Sequence, residues 1–380
     1  MIRVNISNID SIKTWYKNAV LKELKSKHFS CSPKNYFEKK LKDSLKNDAF
    51  CSDVLILSID EIKNKYDWVK QYIDTIDFLE SIPYILIKIK TIKGKGSRKI
   101  KERQLTDFIE LKRNELIDII LMSFSTISIE DGIHNVCSSM SNFDSFIKVL
   151  DNYIGKLNSI IIQKFNYEKV LGKSDIRAQL VMKLNIKVCP YCNRQYINPL
   201  TIDKKNIYLG DIDHILPKSR YALFQLSLFN MIPACKACNQ LFKKNKTAQI
   251  LNPYYEGFGD DAFLEIDYST VNELIGIDDP HDYSWRIIHD KKGKIRNSID
   301  TFQLNEVYKS NSSEFKRILK IKFLIQSRVY RDFIDNLLNS GNSSYIEYFD
   351  DTLLYGVSLD ENKFQDELLS KAIYDIVMYN

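Results

Sequence analysis

Two Cys-x-x-Cys pairs constrain this chain of 380 residues more than any other feature of its sequence. Cys189 and Cys192 belong to VCPYCNRQY, and Cys235 and Cys238 belong to PACKACNQL. Each pair can turn two sulfur atoms toward one point, and four thiolates in a tetrahedron suit a structural Zn²⁺ ion. The alternatives are a redox dithiol or four packed cysteines. Catalytic cysteines are disfavoured, because a closed four-sulfur site leaves no open position for a substrate. The sequence therefore predicts one zinc ion bound by the four cysteines.

The positive charge of the chain is concentrated around the two cysteine pairs. Residues 181–250 contain eleven lysine and arginine residues against three aspartates, a net charge of +8, whereas the whole chain carries +6. A local basic segment is typical of one module that contacts nucleic acid while the rest of the chain does not. The candidates for phosphate contacts are Lys218, Arg220, Lys243 and Lys244. Simple solvated cations are the competing interpretation.

The segment between the cysteine pairs contains the stretch DIDHILP at residues 211–217. Residues 207–215 are predicted to form a strand, which Pro217 ends. Neighbouring side chains on a strand point to opposite faces. Asp213 and His214 can therefore serve one site only where the strand twists or ends, and the nearby proline makes such an end a reasonable expectation.

The residue types around this strand end match the needs of phosphodiester hydrolysis. That reaction needs a base to activate water, a hard cation to bind the phosphate, and a group that holds the base in the correct tautomer. His214 is the candidate base, because an imidazole has an ordinary pKa of about 6.5. Asp213 and Asn239 offer oxygen ligands for Mg²⁺ or Mn²⁺. Asn230 can orient the imidazole through its side chain or its backbone carbonyl. Asp211 is expected to support its neighbours rather than to bind the metal.

These elements resemble the HNH endonucleases, the ββα-metal finger nucleases. The resemblance rests on DHILP at 213–217, on Asn230 and on CKACN at 235–239, framed by the upstream cysteine pair, and it covers about 65 residues near 185–250. It implies that Asp213 is a metal ligand, that His214 is the general base, that Asn230 supports the histidine and that Asn239 is the second metal ligand.

Two positions depart from the pattern of that family. The segment between Pro217 and Asn230 lacks the paired glycines that many members carry, and Lys243 lies four residues after Asn239, where the family more often has a lysine three residues after. Neither departure removes a ligand. The resemblance therefore implies a DNA endonuclease with one catalytic Mg²⁺ or Mn²⁺, and RNA is not excluded. The alternative is a non-catalytic zinc-dependent module that binds nucleic acid or another protein.

The flanking sequence predicts mainly α-helical regions, and the resemblance implies that they surround a small ββα-metal (His-Me finger) HNH core with its four-cysteine zinc site. The expected fold class is therefore α+β. We expect a mainly helical N-terminal region at 1–180, the nuclease domain at 181–255, and short strands followed by helices at 256–380. A basic hairpin is predicted near 84–103, because Ile85, Ile87 and Ile89 alternate with other residues before a Lys/Gly turn.

The chain start and the flanks give expectations about location and partners. MIRVNISNID has no apolar signal region, and the apolar runs are too short to span a membrane. We therefore expect a cytoplasmic protein without a membrane segment. The flanks loosely resemble HNH proteins of bacterial phage-defence and restriction systems, and this resemblance implies a partner ATPase or sensor. The chain has no phosphate-binding loop motif, so any use of ATP would have to come from that partner. Cutting both strands of a duplex would need a homo-oligomer, two visits or a partner.

Overall fold

The computed structural model describes residues 1–90, 97–111, 140–172, 175–203, 205–246, 248–330, 332, 336 and 351–380. These residues divide into two units. We call residues 10–177 and 216–231 the helical unit, and residues 1–9, 178–215 and 232–380 the mixed unit. The chain thus leaves the mixed unit after residue 215 and returns to it at residue 232, inside the segment predicted to be the nuclease domain.

Helices build the helical unit, and polar side chains define where several of them begin. Asn35 accepts a hydrogen bond from the Glu38 backbone N–H at 2.8 Å, and Ser58 forms a reciprocal capping box with Glu61. The helices are α1 Ile9–Lys25, α2 Tyr36–Lys46, α3 Asp48–Ile56, α4 Ile59–Lys65, α5 Asp67–Lys90, α6 Ser97–Leu111, α7 Met140–Lys164 and α8 Tyr167–Val170. Short 3₁₀ turns cover Ala222–Phe224 and Leu228–Asn230.

Buried hydroxyl and amide groups fasten segment 216–231 to these helices. The Tyr16 hydroxyl of α1 donates to the Leu226 carbonyl at 2.7 Å. The Asn158 amide of α7 donates to the Arg220 carbonyl at 2.8 Å and accepts from the buried Tyr72 hydroxyl of α5 at 2.6 Å. A buried carbonyl that lost such a donor would cost about 1–3 kcal/mol. Packing and hydrogen bonds from three helices therefore hold the loop that carries Asn230.

The mixed unit combines three small sheets with helices. Its strands are β1 Pro199–Ile202, β2 Lys205–Tyr208, β3 Asp211–His214, β4 Met231–Ala234 (232–234 lie in this unit), β5 Ala262–Asp267 and β6 Asp282–Ile287. They pair as β1 with β2, β3 with β4, and β5 with β6. Its helices are α9 Asp175–Leu184 (178–184 in this unit), α10 Val271–Leu274, α11 Lys294–Thr301, α12 Leu304–Lys309, α13 Ser312–Gln326, α14 Asp351–Tyr355 and α15 Ser370–Tyr379. A π-helical turn covers Ala237–Lys243.

The predicted fold class is confirmed: the structure is mainly helical, with small antiparallel sheets and a four-cysteine cluster. The predicted strand over 207–215 is instead divided between β2 and β3. Gly210 lies at the division, and a Cβ atom there would lie 2.6 Å from the Ala234 carbonyl oxygen. Only glycine allows the backbone of β4 to approach this closely. The predicted boundaries at 180 and 255 stay predictions, because the two units are built from discontinuous segments.

The hairpin predicted near 84–103 is wrong. Residues 84–90 continue helix α5, residues 97–103 belong to α6, and residues 91–96 lie outside the described residues. A short apolar run such as YILIKIK fits both a two-residue and a 3.6-residue period. Helix α5 already covers the preceding residues and continues through this run, so the run is helical and not a strand. Among the described residues, no helix is long and apolar enough to cross a membrane.

Candidate active site and metal centre

The four cysteines of the two pairs meet in the mixed unit. Their sulfur atoms all lie within 4.8 Å of one another, and all four residues are buried. The Sγ atoms of Cys192 and Cys235 are 3.9 Å apart, close to the separation of about 3.8 Å that Zn–S bonds of 2.3 Å give in a tetrahedron. The donor set and its spacing fit a structural zinc ion, as the sequence predicts.

Burial makes this cluster depend on a cation. Desolvation raises the pKa of the Cys189 thiol, and the neighbouring sulfur atoms raise the pKa of Cys238. Four thiolates without a positive charge are therefore unfavourable in this position. A divalent ion would supply that charge and release the thiol protons, which couples its binding to folding.

The first cysteine pair is fastened by residues far along the chain. The buried Tyr308 hydroxyl donates to the Cys192 carbonyl at 2.7 Å, and the Tyr191 ring stacks on Phe302 with centroids 4.3 Å apart. Asn193 has a left-handed backbone with φ of 51°, which asparagine tolerates better than most residues. The first cysteine knuckle is therefore positioned by the C-terminal part of the mixed unit as well as by its own turn.

Asn193 also ties this knuckle to the C-terminal helix. Its side-chain amide donates to the carbonyls of Phe364 and Glu367 at 2.9 and 3.1 Å. Its side-chain oxygen accepts from the Lys371 backbone N–H at 3.1 Å, and its own carbonyl accepts from the Leu369 N–H at 2.6 Å. Asn193 is fully buried, so these bonds replace water completely.

Asp213 lies at the end of β3 in a buried, hydrogen-bonded position. It is 3 % exposed, and His214 is 7 % exposed. One carboxylate oxygen of Asp213 accepts from the Tyr191 hydroxyl at 2.7 Å, and the other accepts from the Lys243 ammonium at 3.1 Å. Burial, followed by the Asp213 charge, raises the pKa of Tyr191, so its hydroxyl stays protonated and donates.

Lys243 is the buried counter-ion of Asp213, and the phosphate contact expected of it stays a prediction. Its side chain is 1 % exposed, and its ammonium also donates to the backbone carbonyl of His214. The physical reason is the buried carboxylate of Asp213, which would be strongly unfavourable without a counter-charge. Lys243 thus contacts both residues of the Asp-His pair.

A π-helical turn explains how Lys243 reaches Asp213 from an unusual sequence spacing. The Lys244 backbone N–H donates to the Asn239 carbonyl at 2.9 Å, five residues earlier. A π-turn holds one residue more than an α-turn. The lysine four residues after Asn239 therefore takes the place that a lysine three residues after would take in an α-helix. The departure noted in the sequence is accommodated by this one-residue bulge.

Asn239 is oriented by Asp211. Its side-chain amide donates to a carboxylate oxygen of Asp211 at 3.2 Å, and Gln240 donates to the same oxygen at 2.7 Å. This arrangement uses the nitrogen end of the Asn239 amide and directs its carbonyl oxygen elsewhere. Asp211 therefore contacts a candidate metal ligand, in keeping with the supporting role expected from the sequence.

Asn230 lies in the helical unit and braces the loop that follows β3. Its side-chain oxygen accepts from the Leu216 N–H at 2.7 Å. Its amide donates to the carbonyls of Leu216 and Phe224 at 3.1 and 3.0 Å. The fully buried side chain thus pairs with the backbone two residues after His214. Through these bonds, Asn230 can affect His214 by fixing the position of the backbone that follows the histidine.

Two of the predicted phosphate contacts have carboxylate partners within the helical unit. Lys218 pairs with Glu168 at 2.5 Å. Arg220 pairs with Glu80 at 2.5 Å and Asp151 at 2.8 Å. These pairs neutralise much of the charge that a phosphate would meet. Lys244 is exposed and stays a candidate contact.

Tyr191 and Gln240 also contact the candidate site residues, although the sequence did not indicate either of them. Tyr191 lies inside the first Cys-x-x-Cys pair, and a tyrosine there gives no sign that it will meet the carboxylate of Asp213. Gln240 directly follows Asn239, and only the π-helical turn brings its amide to Asp211. Neither contact follows a regular spacing that a single sequence reveals.

Comparison with known proteins identifies the segment that contains these residues. Residues 189–249 match the family model described as HNH endonuclease. No curated protein and no solved structure matches the chain. The matched segment includes both cysteine pairs, the Asp213-His214 pair and Asn239. Residues 189–249 are therefore an HNH endonuclease domain with a four-cysteine cluster, which indicates a nuclease acting on nucleic acid.

Proposed function

We propose that this chain hydrolyses phosphodiester bonds of DNA with one divalent cation and with His214 as the general base. The observation that carries the proposal is the buried Asp213-His214 pair, which Tyr191 and Lys243 hold in place beside the four-cysteine cluster. A module that only bound nucleic acid would need the zinc site and the surface cations, but it would have no use for a carboxylate and an imidazole fixed at a strand end.

Asp213 and Asn239 would hold the catalytic Mg²⁺ or Mn²⁺. A carboxylate has about four lone-pair positions, and Tyr191 and Lys243 use two of those on Asp213. The carbonyl oxygen of Asn239 is not used by the bond to Asp211. Both are hard oxygen donors of the kind that these cations prefer. When bound, the cation would neutralise charge on the phosphate and on the leaving oxygen.

His214 would accept the proton of the attacking water in its neutral form. Its backbone carbonyl is fixed by the Lys243 ammonium, and the following loop is fixed by Asn230 through Leu216. General-base catalysis depends on a base within hydrogen-bond reach of the water. We infer that Lys243 and Asn230 contribute by positioning the base, and that Asp211 contributes by orienting Asn239.

DNA is the proposed substrate, and RNA remains the other nucleic acid to test. Beyond the chemistry, the loose resemblance of the flanks supports a role in bacterial anti-phage defence or restriction, with a partner ATPase or sensor and with a homo-oligomer for double-strand cutting. The alternative function is a non-catalytic zinc-dependent nucleic-acid-binding or interaction module, which keeps the four cysteines and the net charge of residues 181–250.

One assay separates these functions. Supercoiled plasmid, linear duplex, single-stranded DNA and RNA are each incubated with the full chain and Mg²⁺, Mn²⁺ or a chelator. We expect cutting of DNA with either metal and none with the chelator at a level that leaves zinc bound. Asp213→Ala should need more Mg²⁺ for the same rate, because an oxygen ligand is gone. Binding without cutting under every condition would favour the non-catalytic module.

Replacing Lys243 by methionine should impair both stability and cutting. The change leaves the Asp213 carboxylate buried without its counter-charge, and breaking a buried ion pair in this way costs about 3–5 kcal/mol. Denaturant unfolding measures the stability, and the plasmid assay measures the rate. Lys320→Met is the matched control, because Lys320 is an exposed lysine outside the HNH segment. Equal stability and activity of the two variants would refute the positioning role.

Exposed lysines after the π-turn should supply part of the salt-dependent affinity for DNA. Each lost phosphate contact lowers the slope of log affinity against log salt by about 0.9 on duplex DNA. We therefore expect the double variant Lys244→Gln, Lys246→Gln to lower the slope by about 1–2. Binding is measured by fluorescence anisotropy without added Mg²⁺. The exposed pair Lys320 and Lys363, changed in the same way, is the control, and an unchanged slope in the first variant would place the DNA path elsewhere.

A further inference from the structure

A pocket of about 650 Å³ lies in the helical unit between α2, the first turns of α3 and α5, and the end of α4. Asn35 and Asn47, which cap α2 and α3, line it together with Asp67, the first residue of α5. Binding sites for small molecules have volumes of about 300–1,000 Å³. None of the lining residues belongs to the HNH segment at 189–249, so the nuclease chemistry does not account for this pocket.

Aromatic rings form much of the pocket wall. Phe50 contacts the rings of Tyr66 and Trp68 at centroid distances of 4.8 and 5.3 Å, and these rings belong to the core. Tyr36 differs, because it lines the same pocket while 71 % exposed. A tyrosine so exposed beside an aromatic-lined pocket gives little to the stability of the fold. It presents a flat face on which a planar group can stack.

Two lysines place ammonium groups at the same pocket. The ammonium of Lys40 lies 5.3 Å from the Tyr36 ring centroid, and that of Lys65 lies 5.8 Å from the Tyr66 centroid. Both lysines line the pocket, and the Lys65 ammonium is paired with Asp53 at 2.7 Å, so Lys40 is the stronger candidate for contact with an anion. Helix ends of both polarities line the pocket, because the first turns of α2, α3 and α5 favour an anion while the last turns of α2 and α4 oppose one. The lysine side chains therefore decide where an anion would lie. One anionic group fits this environment.

Hydrogen-bonding groups on the wall suit the edge of a heterocycle. Ser44, Asn47 and Gln71 offer donors and acceptors, and the carboxylate of Asp43 can accept from ring or exocyclic N–H groups. The indole Nε1 of Trp68 is buried and has no hydrogen-bond acceptor among the described residues. The carboxylates of Asp43 and Asp67 balance the charges of Lys40 and Lys65 on this wall, so a ligand with one phosphate suits the pocket better than a polyphosphate.

We propose that this pocket binds a nucleobase attached to one phosphate, with the base stacked on Tyr36 and the phosphate near Lys40. The source of that chemistry is either a free mononucleotide or an unpaired nucleotide in a single strand. The proposal stands apart from the hydrolytic site, because it concerns binding alone and is measured without the catalytic metal.

The test is calorimetric titration of the full chain without added Mg²⁺. The probes are AMP, GMP, CMP and UMP, ribose 5-phosphate, tyrosinamide and a short single-stranded oligonucleotide. Tyr36→Ala removes the stacking face, and Tyr255→Ala makes the same change at an exposed tyrosine of the mixed unit. Tyr36→Ala should weaken binding about 10-fold through the loss of one base–aromatic stack, while Tyr255→Ala should not change it. Unfolding midpoints of both variants check the fold.

The outcomes separate the two sources of the ligand. Binding of at least one mononucleotide that Tyr36→Ala weakens supports a site for a free nucleotide. Binding of the oligonucleotide alone, with the same loss, supports a site for an unpaired base in a strand. The proposal is overturned if no probe binds, if ribose 5-phosphate or tyrosinamide binds as well as the nucleotides, or if the two tyrosine variants behave alike.

Discussion

Replacing His214 by alanine is expected to lower the cutting rate by about 10²- to 10⁴-fold or more, because the reaction loses its general base. Zinc content and DNA affinity should stay at the wild-type level, since the four cysteines and the surface lysines are untouched. The wild-type rate should rise with pH as the imidazole loses its proton, because only the neutral ring accepts one. The variant should lose this dependence along with the rate.

The measurement is single-turnover cutting of plasmid with Mg²⁺ across a pH series. His281→Ala is the matched control, because this histidine is exposed and lies outside the HNH segment. His214 is nearly buried, so His214→Asn serves as a second variant that fills more of the space. If purified His214→Ala cuts at the rate of His281→Ala, His214 is not the base.

Loss of the zinc ion is expected to have the largest effect on stability. Structural zinc can contribute on the order of 10 kcal/mol to the folding of a small module. The double variant Cys235→Ser, Cys238→Ser removes two of the four sulfur ligands. We expect the wild-type chain to contain about one zinc per chain by metal analysis, and the variant to lose the metal and to unfold its mixed unit at a lower temperature.

The control for this variant replaces two other buried cysteines. Cys31 and Cys51 lie in the helical unit, outside the four-cysteine cluster. Changing both to serine should leave the zinc content unchanged. A wild-type chain that is well folded yet free of zinc would rule out the metal-binding role of the cluster.

The sequence was informative wherever covalent spacing alone brings residues together. A Cys-x-x-Cys turn fixes two sulfurs in one place in any fold, and the adjacent Asp213 and His214 share a strand end for the same reason. The meeting of the two pairs was predictable for a further reason, since a structural zinc ion needs four ligands and each pair supplies two. The partner of Lys243 was not, because a π-helical bulge decides which way that side chain points, and a single sequence carries no clear sign of such a bulge.

The flanking helices show where local sequence patterns do not determine the structure. Residues 84–90 fit a strand and a helix equally well by pattern, and the length of α5 on the N-terminal side decided the outcome. The division of the predicted strand at Gly210 was also not predictable. It depends on the close approach of Gly210 to the Ala234 carbonyl, which lies in a strand more than twenty residues later in the chain. Local pattern fails where the deciding contact comes from a distant segment.

The bonds of Asn193 to the start of α15 and to the turn before it give the four-cysteine cluster a distant anchor. Because Phe364, Glu367 and Lys371 satisfy every polar group of that side chain, an unravelled C-terminus would leave a buried amide with nothing to bond. The rate at which a strong chelator removes zinc should therefore report how stably residues 364–371 are packed. If the chain were shortened at that end to isolate the nuclease segment, the first cysteine pair would lose these hydrogen bonds. The fragment would then hold that pair less firmly than the full chain does.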